Sequence, residues 1–189
     1  MASQSSVFAV KEFEFNIQFT VGADPVMDLF HEYPTLRLRN ATCTVTENAM
    51  WRIDHVDGPT DAITAFDAVF LDEERCNECL DEHCCSGTRE YAVLDRRPAA
   101  STVYTYHAQT DRCCTVPAVV TDYIGAGVVF ESERSGGTYR WRVLSPVETS
   151  LDPLFDRLES TLRTGLQLDI GHLGSADLWR NKTQSVFPH

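Results

Sequence analysis

Trp51-Arg52-Ile53 and Trp141-Arg142-Val143 stand ninety residues apart (141 minus 51), and each lies at the same step in the same succession of elements. Upstream of the first, Phe13, Phe15, Ile17, Phe19 and Val21 alternate with Glu12, Glu14, Asn16, Gln18 and Thr20. That period of two is the pattern of a strand with one buried face. Asp24-Pro25 then offers an N-cap and a first-turn proline. Val26, Leu29, Phe30 and Tyr33 give a short helix its apolar stripe, and Pro34 ends it. A strand over 36–46 follows, its parity shifting between Leu38 and Ala41, which predicts a bulge near Asn40. Glu47-Asn48 turns the chain into the strand marked by Trp51, Ile53 and His55. Gly58-Pro59-Thr60 opens a second helix with Ile63, Phe66, Val69 and Phe70 facing inward. A cysteine-rich loop leads to a strand over 90–94.

The succession then repeats. Val103 to His107 reads as a strand, and Val116, Val119, Val120, Tyr123 and Ile124 as a helix closed by Gly125. Two strands, 128–133 and 139–144, flank the hairpin turn Ser135-Gly136-Gly137. Asp152-Pro153 caps a helix carrying Leu151, Leu154, Phe155, Leu158 and Leu162, with Gly165 as its stop. Leu166, Leu168 and Ile170 alternate as a last strand. The order β-α-β-β-α-β, met twice, predicts an α+β fold of tandem ferredoxin-like repeats with antiparallel sheets and two helices on one face of each. The first repeat spans 1–96 with a cysteine loop at 76–85, and the second spans 101–171. Residues 172–189 read as a tail or linker to a C-terminal module outside this chain.

At 189 residues and 43% hydrophobic content the chain can bury a sizeable core without disulfides. No apolar run reaches membrane-spanning length, and the first residues lack the charged and apolar regions of a signal peptide, so a cytoplasmic, non-membrane location is expected. The net charge is −12, and only two of the sixteen basic residues, Lys11 and Lys182, are lysines. Acidic, lysine-poor composition suits work in high intracellular salt, where carboxylate repulsion is screened. It also argues against this chain gripping DNA by itself, since phosphate contacts need a basic face.

Six of the seven cysteines crowd into two stretches. Cys76-Asn77-Glu78-Cys79 is a C-x-x-C pair, followed by Cys84-Cys85 and, farther on, by Cys113-Cys114. A C-x-x-C lets two thiolates meet one metal from a tight loop, and a second pair completes a tetrahedral site. If the strands near 90–94 and 103–107 pair as a hairpin, its midpoint falls near residue 99. Cys85 and Cys113 are then fourteen residues to either side and share its open end. The expected ligands are Cys76 and Cys79, one of Cys84 or Cys85, and one of Cys113 or Cys114, with His83 as an alternative. Zinc is the first choice of occupant, an iron–sulfur cluster the second, and a metal-free redox dithiol the third. The helix starting near Thr115 favours thiolate at Cys113 and Cys114. Cys43 shares strand parity with Ala41 and Val45 and reads as core. His55, His107 and His172 are scattered and read as structural. Arg52, Arg140 and Arg142, beside tryptophans, read as partners in cross-strand salt bridges. Neither a phosphate loop, a dinucleotide fingerprint nor a nucleophile elbow is present, which favours a binding role over an enzyme.

Phe13 to Pro25, Trp51 to Pro59, the loop from Cys76 to Cys85, and Tyr139-Arg140-Trp141-Arg142-Val143-Leu144 with the helix after it resemble the N-terminal sensory region of haloarchaeal bacterio-opsin-activator-like transcription regulators of the HTH-10 type. The resemblance implies a sensory, homodimeric domain whose DNA contacts are made by a C-terminal helix-turn-helix not contained in these residues. Two rival readings remain: a stand-alone metal-binding or redox-sensing protein, and a thiol oxidoreductase using Cys76 and Cys79.

Overall fold

The computed structural model describes residues 10–81, 85–109, 113–146 and 150–175. In chain order its elements are β1 (Lys11–Phe19), α1 (Pro25–Glu32), β2 (Arg37–Val45), β3 (Ala49–Asp57), α2 (Thr60–Phe70), β4 (Thr88–Arg97), β5 (Ala100–Ala108), α3 (Val116–Ile124), β6 (Val129–Ser135), β7 (Thr138–Ser145), α4 (Asp152–Thr161) and β8 (Leu166–Ser175). The strands form one eight-stranded sheet in the order β4-β5-β3-β2-β6-β7-β1-β8, every neighbouring pair antiparallel.

This order overturns the expected tandem of ferredoxin-like repeats, although the class remains mixed α and β. In a self-contained β-α-β-β-α-β unit the first strand lies between the third and the fourth. Here β5 holds that slot, between β4 and β3, and β1 lies between β7 and β8. The cause is the connection between β4 and β5, which is two residues long, Pro98 and Ala99. So short a link lays β5 directly against β4 as a hairpin, from Thr88↔Ala108 to Arg97↔Ala100. The leading strands of the two halves have in effect changed places, and one continuous sheet replaces two separate ones.

Local chemistry explains the elements. Asp24 accepts hydrogen bonds from the Val26 and Met27 amides at the start of α1, and Thr115 accepts from Ala118 at the start of α3. The sequence expects Asp152 to cap α4. In the structure Asp152 is instead the first helical residue, where its charge meets the positive end of the helix, and Leu151 takes the cap position without a side-chain bond. Nor does Gly165 stop α4. The helix ends at Thr161, and Gly165, with φ 89°, makes the following turn. The bulge in β2 falls between Asn40 and Thr42.

The helices share one face of the sheet. Phe13 and Phe15 of β1 meet Phe155 of α4 edge-on, with ring centroids 6.0 and 6.1 Å apart. At the other end Phe30, Phe66, Phe70 and Tyr91 form a continuous run of ring contacts from α1 through α2 to β4. On the opposite face Arg142 reaches three carboxylates, Glu12 and Glu14 of β1 and Glu131 of β6, at 3.2–3.4 Å. These are cross-strand ion pairs, for Arg142 stands opposite both Glu14 and Glu131 in the ladder. No helix among the described residues is long and apolar enough to cross a membrane.

Candidate metal centre

The loop after α2 and the segment before α3 are drawn together by backbone pairing. Cys79 and Thr115 form an isolated antiparallel bridge, and the Leu80 amide donates to the Cys114 carbonyl at 2.8 Å. The β4–β5 hairpin contributes the rest, since its register brings Cys85, just before β4, and Cys113, after β5, to one end.

Four thiols and an imidazole meet there. Cys85 Sγ lies 2.7 Å from Cys113 Sγ, and His107 Nε2 lies 3.4 Å from Cys113 Sγ and 3.8 Å from Cys85 Sγ. Donor atoms of Cys76, Cys85 and His107 all fall within 4.8 Å of one another. Cys79 shares hydrogen bonds with Cys76, Cys85 and Cys113. The Cys85–Cys113 separation is longer than a disulfide, about 2.05 Å. It is shorter than the sulfur–sulfur edge of about 3.8 Å that metal–sulfur bonds of about 2.3 Å imply in a tetrahedron. An ion entering the site would therefore push these two sulfurs apart by about 1 Å.

The thiols polarise one another. Hydrogen bonds from Cys79 and Cys85 hold the Cys76 thiol well below its ordinary value, helped by the Glu78 amide. The same two donors, with His107 and the Gly87 amide, hold Cys113 far below its ordinary value. Cys79 and Cys85, which keep the shared protons, are pushed up, Cys113 being the largest cause for each. Arg89 Nη1 donates to Cys85 Sγ at 3.1 Å and offsets part of the negative charge. Gly87 is required by close approach, because a Cβ at that position would stand 2.7 Å from His107 Nε2. Cys76, Cys79 and Cys85 open onto a surface cleft lined in part by Asp72, Glu74, Arg75, Asp81, Arg89 and Arg163.

Of the residues singled out in the sequence, the structure thus brings together Cys76, Cys79, Cys85 and Cys113. Cys114 contributes its backbone carbonyl to the loop pairing. Cys84 and His83 lie outside the described residues. Cys43 is half-buried against the core on β2, and burial pushes its thiol up to about 12. His107, read from sequence as structural, is the donor that the sequence reading missed. It is buried at the inward end of the alternation Val103, Thr105, His107 on β5.

Beneath the thiols lies a second group that the sequence reading did not foresee. Arg52 and Arg134 are each only 1% exposed. Arg52 pairs with Asp54 at 2.5 Å and with Glu78 at 2.9 Å, and Arg134 pairs with Glu78 and donates to the Asn77 carbonyl at 2.9 Å. Tyr139 donates its hydroxyl to Glu78 at 2.8 Å, accepts from Arg52 at 3.0 Å, and receives the Arg134 guanidinium over its ring at 4.1 Å. Burial alone pulls the Arg52 guanidinium down, and the carboxylates of Asp54 and Glu78 outweigh it, so it stays charged. Burial pushes the Tyr139 hydroxyl up to about 12, which keeps it a donor. The two residues inside the C-x-x-C thus anchor the loop: Glu78 to the two arginines, and Asn77 to the Phe70 carbonyl at 2.6 Å and the Tyr91 hydroxyl at 3.1 Å.

Fold and site together define a mixed α and β domain with a thiol–imidazole cluster at one end of a continuous antiparallel sheet. Residues 12–179 match the family described as HVO_2928_N, N-terminal, and the chain belongs to that family. Comparison with curated proteins finds no match.

Proposed function

We propose that this domain binds one zinc ion in a four-coordinate site made by Cys76, Cys79, Cys85 and Cys113, with His107 as the alternative fourth donor in place of one thiolate, and serves as the sensory part of a cytoplasmic transcription regulator. The observation that carries the metal reading is the convergence of four thiols and one imidazole from a loop, a hairpin and a helix start that are distant in sequence. Zinc suits thiolate and imidazole donors at tetrahedral reach. A single ion fits such tight packing better than an iron–sulfur cluster, whose several irons hold their ligands farther apart. The regulator reading rests on the resemblance to bacterio-opsin-activator-like proteins and on the description of the family as an N-terminal domain, which suits a sensor joined to a further module. In that reading DNA is contacted by a helix-turn-helix C-terminal to these residues, the domain itself is a homodimer, and it catalyses no reaction.

Elemental analysis of protein purified without added metal tests the metal reading. One zinc per chain is expected, lost in Cys76→Ser and Cys113→Ser under chelator competition and retained in Cys43→Ser. Protein that holds no zinc as purified and takes up none on addition sinks it. The Cys85–Cys113 contact favours one second reading, a dithiol switch in which the two thiols lose two protons and two electrons to an oxidant and join as a disulfide. That outcome would appear as a mass loss of about two daltons mapped to this pair after mild oxidation, in protein that binds no metal.

A further inference from the structure

We infer that Glu78 transmits occupancy of the thiolate site to the seam between the two halves of the sheet, so that binding a metal closes the seam and losing it loosens the seam. The inference rests on the metal reading above and adds what the bound ion does. Strands β2 and β6, which join the two halves, share three register pairs: Leu38↔Arg134, Arg39↔Glu133 and Asn40↔Ser132. The neighbouring β6–β7 ladder has seven. These pairs end at Asn40, where the register of β2 against β3, its other neighbour, shifts between Asn40 and Thr42. Few ladder bonds hold the halves together here, and the side chains that bridge them matter correspondingly more.

Arg39 pairs with Glu133 and Arg52 donates to Tyr139 across the seam, and Glu78 is the bridge that also belongs to the cysteine loop. One carboxylate oxygen accepts from Arg52 on β3 and the other from Arg134 on β6, so a single side chain ties together strands on opposite sides of the seam. Glu78 is also bracketed by two of the proposed ligands, Cys76 and Cys79, and its amide donates to Cys76. With an ion bound to both cysteines, the backbone of Glu78 is fixed and its carboxylate is held between the arginines. Without the ion the loop is free to lift. Arg134 then loses the carboxylate that faces it and becomes a buried charge, which the seam relieves by opening to water.

Hydrogen exchange of the zinc-loaded and the chelated full chain tests this. Chelation should speed amide exchange at 38–40 and 132–134 by about tenfold or more while leaving the β1–β7 ladder unchanged. In Glu78→Gln zinc should still bind, and the seam should exchange fast with or without it. Equal exchange at the seam in both wild-type forms overturns the inference and leaves the metal reading standing, as does acceleration spread evenly over all strands. A Glu78→Gln protein whose seam still responds to chelation like the wild type removes Glu78 from the account. A chain that binds no zinc overturns the metal reading and this inference together. If Glu78→Gln does not fold, the wild-type comparison alone decides.

Discussion

Divided in the turn between β4 and β5, the protein should give two fragments, 1–98 and 99–189, that do not fold apart and that fold together when mixed. The strand exchange is the reason. In the intact chain β1 is flanked on both sides by strands of the second fragment, and β5 on both sides by strands of the first. Phe13, Phe15, Ile17 and Phe19 of β1 are buried, three of them completely. At about 1.5–3 kcal/mol for each such side chain, they contribute about 6–12 kcal/mol, a sum that matches the whole stability of an ordinary domain at about 5–15 kcal/mol. The metal centre is divided in the same way, with Cys76, Cys79 and Cys85 on one fragment and His107 and Cys113 on the other. Circular dichroism and denaturant melts of each fragment, alone and mixed with zinc, give the answer. A cooperative unfolding transition in either fragment alone would show that β1 or β5 can return to its own half, and would contradict the exchange as a requirement of folding.

Glu78→Ala should destabilise the zinc-loaded protein by about 3–5 kcal/mol, the range for removing one partner of a buried ion pair. Arg52 keeps Asp54 after the substitution, whereas Arg134 has no other carboxylate partner among the described residues. The asymmetry makes a second expectation. Replacing Arg134 by Met in the Glu78→Ala background should recover part of the loss, because the stranded cation goes with it. Urea denaturation with a double-mutant cycle on Glu78 and Arg134 measures both quantities. A loss below about 1 kcal/mol for Glu78→Ala would place the ion pairs among those that hardly matter, and the anchoring of the cysteine loop would need another cause.

Much of the local structure is written plainly in the sequence. The alternation from Phe13 to Phe19, the Asp24-Pro25 start of α1 and the parity shift at Asn40 each leave a signal within a few residues, because each is set by sterics and hydrogen bonds of that span. The sheet order is not local in this way. A period of two says which face of β1 is buried, and nothing about which strand lies beside it. The decisive feature is the link of Pro98 and Ala99, which the structure makes two residues long where the sequence suggests a connection over 95–101, since a hairpin that tight commits β5 to β4 and displaces β1. That hairpin is also what brings Cys85 to Cys113.

The donors divide along the same line. Paired cysteines announce themselves by spacing, whereas His107 acquires meaning only when its strand delivers it to the end where Cys85 and Cys113 meet. Arg52 was harder still. Arg52 reads as a partner in a cross-strand salt bridge, yet Met50, Arg52, Asp54 and Val56 all face inward, and its carboxylates are Asp54 of its own strand and Glu78 of the cysteine loop. The clue is Arg52 and Asp54 two residues apart on one face, a pair that can enter the core because each neutralises the other.

X-ray absorption at the zinc edge of the purified protein tests the metal centre most directly. One zinc per chain is expected with a sulfur shell at about 2.3 Å, dominated by four thiolates or by three with one imidazole nitrogen at about 2.0–2.1 Å, and with one sulfur lost from that shell in Cys113→Ser. A shell made of oxygen and nitrogen alone, or one that keeps its full sulfur count in Cys113→Ser, would contradict it.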